Sequence, residues 1–172
     1  MKLFPILLLS IFLVSCGATV TVDYDKQVDF SKYTAYNYYP TIDSGLNELD
    51  DRRIIKAADS LLQARGFVKS ESPQFYINFY ARESLSNSRN TIGIGIGSGG
   101  GNVGVGVSGG IPIGGKVIDQ RLTIDFIDVQ KDDLIWQAIA DGDMKERATP
   151  QQKEAYYISV IQKILNKYPP SK

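Results

Sequence analysis

Apolar residues recur along this chain at two periods, and the switches between them mark out its elements. "ATVTVDYD" places Val20, Val22 and Tyr24 on one face at period two, which predicts a strand starting near Thr19 or Val20. "DFSKYTAYNYYP" predicts a second strand around Tyr33 to Tyr39, stopped by Pro40. The period then lengthens, with Ile54, Ile55, Ala58, Leu61 and Leu62 at helical spacing. Asn47 can cap that helix, Asp50 follows three residues on, and Gly66 stands where a left-handed C-terminal residue belongs. "PQFYINFYARES" is aromatic and β-branched and predicts a third strand.

Further on, "KVIDQRLTIDFIDVQ" sets Leu122, Ile124 and Phe126 on one side, "KDD" has turn chemistry, and "LIWQAIADGDM" returns as the partner strand. Thr149-Pro150-Gln151-Gln152 is a capping box with proline at the first helical position. The helix it opens buries Tyr157, Val160, Ile161, Ile164, Leu165 and Tyr168 and stops at Pro169-Pro170. Short connections favour an antiparallel β-sheet with two helices packed on one face, an α+β fold. No linker or break in composition divides residues 16–172, so a single domain is expected.

One stretch departs from this pattern. Residues 91–115 hold twelve of the sixteen glycines and no charge. Ile92, Ile94 and Ile96 alternate with glycine, as do Val103, Val105 and Val107. Period two predicts a β-hairpin that continues the sheet, with its tip at Gly99 to Gly101 and one bare backbone face. Ile94, Ile96, Val103 and Val105 are its candidate interaction residues, because uncharged β segments invite pairing with another chain. Each arm supplies about six residues, fewer than the roughly 9 to 11 of a membrane-spanning strand, so insertion would require several chains to pool hairpins. Gly95 to Gly100 matches G-x-G-x-x-G in form, but glycine and valine follow where that fingerprint needs a helix, so nucleotide binding is excluded.

The N-terminus gives the expected location. Met1-Lys2 precedes an apolar run, Leu3 to Val14, that is too short to span a bilayer and suits a secretory signal. It ends in Leu13-Val14-Ser15-Cys16-Gly17, which resembles the lipobox of bacterial lipoproteins. Residues 1–15 are then a removed signal peptide, and Cys16 carries the lipid that anchors the protein to a membrane. The tether from Cys16 to the first strand reaches roughly 15 Å at most. Gly17 stands where an aspartate is associated with inner-membrane retention, which favours the outer membrane.

"DFSKYTAYNYYP", "RRIIKAADSLLQARGF" leading into "PQFYINFYARE", and "LTIDFIDVQKDDLIWQAIADGDM" closing in "IQKILNKYPP" together resemble the lipoproteins of domain of unknown function (DUF) family 4136. The resemblance covers nearly all of the mature chain. It implies an envelope lipoprotein domain and brings no catalytic residues with it.

Composition narrows the chemistry. Loss of Lys2 leaves 18 basic against 19 acidic residues with no block of like charge, so no nucleic-acid footprint exists. Histidine is absent and Cys16 is the sole cysteine, which removes histidine catalysis, the usual zinc sites and any internal disulfide. An enzyme would have to use carboxylates, with Asp141 and Asp143, or Asp23 and Asp25, paired at strand spacing. Asp128, Asp132 and Asp133 fail the calcium-loop pattern, since Asp133 and Ile139 occupy its glycine and bidentate-glutamate positions. Trp136 is expected in the core. Tyrosine offers apolar area with a hydroxyl handle, so Tyr36, Tyr38, Tyr76 and Tyr80 are candidates for a binding surface. The expectation is a lipid-anchored envelope protein, non-enzymatic, without cofactor or metal, meeting an envelope protein or glycan. The alternatives are a carboxylate-dependent hydrolase of an envelope polymer and a membrane-associating or oligomerising hairpin protein.

Overall fold

The computed structural model describes residues 18–87, 91–92, 111–112 and 115–170. The elements are β1 (Thr19–Tyr24), β2 (Ala35–Tyr38), α1 (Glu48–Ala64), β3 (Val68–Lys69), β4 (Phe75–Asn87), β5 (Thr91–Ile92), β6 (Ile111–Pro112), β7 (Lys116–Asp128), β8 (Leu134–Lys145) and α2 (Pro150–Leu165). Six strands form one sheet in the order β1-β8-β7-β4-β2-β3.

The α+β class holds, but the sheet is mixed rather than antiparallel throughout. β1, β8, β7 and β4 pair antiparallel, whereas β2 runs parallel to both β3 and β4. The cause is α1. Strand, helix and strand in succession make a crossover, which returns the chain to its starting end, so β4 enters beside β2 in the same direction.

Local chemistry fixes the helix ends. The Asn47 side chain accepts from the N–H groups of Leu49 and Asp50, and the Phe67 N–H reaches the Leu62 carbonyl at 3.1 Å past Gly66, whose φ is +86°. Thr149 and Gln152 make both bonds of the capping box, with Pro150 in the first turn. Both helices lie on one face of the sheet. Ile54 and Leu62 of α1 and Tyr157, Ile161 and Ile164 of α2 join one buried cluster with Phe75, Ile77, Phe79, Leu122, Ile124, Phe126, Trp136 and Ala138. At one end of that core, the Phe126 ring packs against Phe75 and Trp136 in tilted contacts and against Tyr168 edge-to-face, at centroid distances of 4.7, 4.8 and 4.7 Å. Each such contact contributes about 0.5–1.5 kcal/mol beyond area burial.

Two polar ties lock the helices together. Asp50, 2 % exposed, receives Lys153 Nζ of α2 and Arg53 Nη1 at 2.7 Å each. At the opposite end, the Arg65 guanidinium donates to the Leu165 carbonyl and to Asn166 Oδ1, capping α2.

The glycine-rich stretch bridges β4 and β7, whose ladder runs up to Asn87 opposite Lys116. Its described ends, β5 and β6, pair antiparallel as a separate two-stranded sheet rather than extending the main one, with Ile92 and Ile111 as backbone register partners. Ile94, Ile96, Val103 and Val105, like Cys16, lie outside the described residues. β1 starts at Thr19 opposite Asp141, near the end of β8, so the N-terminus and the glycine-rich stretch leave the sheet at the same end.

Candidate functional site

Since a strand turns alternate side chains to opposite faces, the positions between the core residues form a second surface, and no described helix covers it. Cross-strand register arranges that surface in rows. One row runs Tyr76 and Ile127; the next runs Asn78, Asp125, Gln137 and Asp23; the third runs Tyr80, Thr123, Ile139 and Thr21. A fourth, charged row holds Arg82, Arg121, Asp141 and Thr19.

The middle rows have the geometry of a hydrogen-bonding platform. Gln137 Nε2 donates to Asp125 Oδ1 at 2.8 Å, so two planar polar groups are held side by side on neighbouring strands. Burial pushes the Asp125 carboxyl above its ordinary value, against the opposing pull of the Gln137 hydrogen bond. Thr123 is a buried floor between Tyr80 and the half-buried Ile139. Tyr76 is braced by Tyr39 in an edge-to-face contact of 5.7 Å. Tyr80 is 36 % exposed.

The charged row closes the platform towards the N-terminal end of β1. Arg121 grips both oxygens of Asp141, at 2.7 and 3.2 Å, and a shallow groove of about 590 Å³ lies among Thr19, Arg82, Asp119, Arg121, Asp141 and Asp143. Asp143 stands directly opposite Asp119. Asp141 is thus engaged as an ion-pair partner. Asp23 and Asp25 have local work, accepting from the N–H groups of Tyr24 and Gln27. Among the described residues, no group of three or more His, Cys, Asp or Glu side chains is placed to hold a metal.

The four candidate tyrosines are divided between the two faces. Tyr36 is fully buried under α1, and both Tyr36 and Tyr38 donate to Asp59 Oδ1 at 2.9 Å. Lys69 pairs with the other Asp59 oxygen and sits 4.7 Å above the Tyr38 ring. Those hydroxyls fasten α1 to the sheet, while Tyr76 and Tyr80 project from the opposite face. Tyr33 belongs to a third setting, donating to Asp128 Oδ2 at 2.5 Å; burial and that carboxylate push its hydroxyl up to about 12. The other Asp128 oxygen accepts the N–H groups of Gln130 and Lys131, which makes the β7–β8 connection a self-capped turn. Trp136 is fully buried in the core, as expected.

Asn78, Asp125 and Gln137 were not singled out by the sequence. Their signal is the odd-even alternation of three separate strands, which becomes a surface only once the cross-strand register is known.

The architecture is a two-layer α+β domain with one helix-covered and one open sheet face. The chain belongs to the family described as Domain of unknown function (DUF4136), whose model matches residues 20–170. No curated protein matches it. Among solved structures, a PDZ domain protein from Parabacteroides distasonis aligns at TM-score 0.53 and 14% identity, over 91% of this chain and 37% of that one. This chain therefore spans little more than a third of that protein, and the likeness is one of fold. Two PelC dodecamers from Paraburkholderia phytofirmans align at TM-scores of 0.47 and 0.45, with 17% and 16% identity. They cover 90% and 86% of this chain and 99% and 94% of their own.

Proposed function

We propose that this protein is a lipid-anchored lipoprotein of the bacterial cell envelope, on the outer membrane, that binds an envelope glycan through the open face of its sheet and catalyses no reaction. The observation that carries the reading is the row of planar polar side chains, Asn78, Asp125 and Gln137, set between Tyr76 with Ile127 on one side and Tyr80 with Ile139 on the other. Such a surface offers amide and carboxylate partners to successive hydroxyls and aromatic area to the C–H faces between them. The engagement of Asp141 by Arg121 supports binding over hydrolysis.

Anchorage rests on Cys16. Two residues, Gly17 and Ala18, separate it from Thr19, three backbone steps with a reach of about 10 Å when extended, so the domain works against its membrane.

The test is retention of envelope polysaccharide by the immobilised protein, compared with the Asn78→Ala/Tyr80→Ala variant. Each lost stacking or hydrogen-bonding contact is worth about 1 kcal/mol, so the double variant should bind at least tenfold more weakly with its melting temperature nearly unchanged. Equal retention by a folded variant would contradict the open face as the site. Capture of a protein in place of a polysaccharide would keep the face and replace the ligand.

A further inference from the structure

Among the described residues, β1 is the outermost strand on its side of the sheet, and its free edge is unusually specific. The Asp25 N–H bonds to the Ile135 carbonyl at 3.1 Å, which fixes the parity of the ladder. With residues 19, 21 and 23 turning their backbone groups towards β8, residues 18, 20, 22 and 24 turn theirs outward. Two of the outward groups are sealed: Lys163 Nζ donates to the Ala18 carbonyl at 3.3 Å, and the Tyr24 N–H donates to Asp23 Oδ1 at 2.9 Å. Between the seals stand the N–H and C=O of Val20 and of Val22. The strand carries no lysine, arginine or proline to blunt this edge, and Val22 is 38 % exposed.

We infer that β1 is a self-pairing edge whose partner is β1 of a second copy, joined antiparallel about a two-fold axis through Thr21. Setting Val20 opposite Val22 of the second copy pairs both groups of both valines, four hydrogen bonds in all. The sealed Ala18 carbonyl then faces the sealed Tyr24 N–H of the second copy, so neither end of the ladder loses anything. A slip of the symmetric pairing in either direction sets Val20 against Tyr24, or Val22 against Ala18, and a sealed group then leaves one valine group unmatched on each copy. The same register packs Val20 against Val22 on the helix side of the joined sheet. A two-fold arrangement is closed, so pairing ends at the dimer.

This register makes Thr21 face Thr21 in a non-hydrogen-bonded pair, where Cα atoms lie about 4.5 Å apart, within the roughly 4.4–6.8 Å that a disulfide spans. Thr19 meets Asp23 of the second copy, while the two Thr19 positions are about 14 Å apart along the strands. The experiment is oxidative cross-linking of the full chain in the expressing cell's envelope, with the wild type, whose sole cysteine is Cys16, as background. Thr21→Cys is expected to form a disulfide-linked dimer. Thr19→Cys alone should stay at background, and it leaves in place the Asp23 carboxylate that seals Tyr24. Val22→Pro deletes an outward N–H that β8 does not use, so it should abolish the Thr21→Cys dimer while protease resistance shows the fold retained. A folded Thr21→Cys chain that stays monomeric under oxidation would overturn the inference. So would equal cross-linking at position 19 alone, or a dimer that survives Val22→Pro.

Discussion

Asp125 sits where the fold spends stability on its open face. Its carboxyl is half-buried between strands with Gln137 as hydrogen-bond donor, and burial holds its folded pKa above the ordinary carboxylate value. A raised folded pKa means that protonation stabilises the native state. That contribution is fully present below the ordinary value and is lost as pH rises through the raised one, so at neutral pH the ionised side chain is a net cost. Asp125→Asn keeps an acceptor for Gln137 and removes the charge. It should raise the melting temperature at pH 7, with the gain shrinking as pH falls through the carboxylate range; a thermal melt series from pH 7 to pH 3 checks this. The residue escaped the sequence analysis for a physical reason. Asp141 and Asp143 attract notice because two-residue spacing on one strand is visible in a linear sequence, whereas the setting of Asp125 comes from Asn78 and Gln137 on two other strands. Tyr36 and Tyr38 show the converse: their clustering is visible, but their burial depends on where α1 lands.

At the scale of elements, the two helices depend on Asp50. It occupies the first turn of α1, where a carboxylate also suits the helix dipole, and it takes Lys153 from the first turn of α2. Burial raises its pKa, but the hydrogen bonds from Lys153, Asn47 and Arg53 outweigh that and leave it below the ordinary value. Its contribution is present above the ordinary carboxylate pKa and fades as pH falls through the lowered folded one. Asp50→Ala removes the shared acceptor from two cations that keep partial access to water. Discounted for that access, the cost is about 2–4 kcal/mol, read as a lower urea midpoint. The helix ends were legible in advance, because Asn47, Gly66 and the Thr149–Gln152 box act within a few residues of the chain. The parallel course of β2 was not, since a strand before a helix reads the same in sequence whichever direction its neighbour takes.

At the scale of the whole molecule, the order of elements and the residues of the core followed from periodicity, because alternation in β7 and β8 leaves only one face able to bury Leu122, Phe126, Trp136 and Ala138. The open platform did not follow, because it is assembled from polar positions on four strands that share no local signature. The proposed placement has its own test. Cys16→Ser should abolish acyl labelling and release the chain from the membrane fraction, and unchanged labelling would rule out Cys16 as the lipid site. On the proposed function, the open face meets the envelope partner while the helices face away. A photo-reactive amino acid at Tyr80, compared with the same group at the exposed Gln151 of α2, measures this in intact envelopes. Adducts with envelope material are expected from position 80 and none above background from position 151; adducts from position 151 with none from position 80 would reverse the proposed orientation.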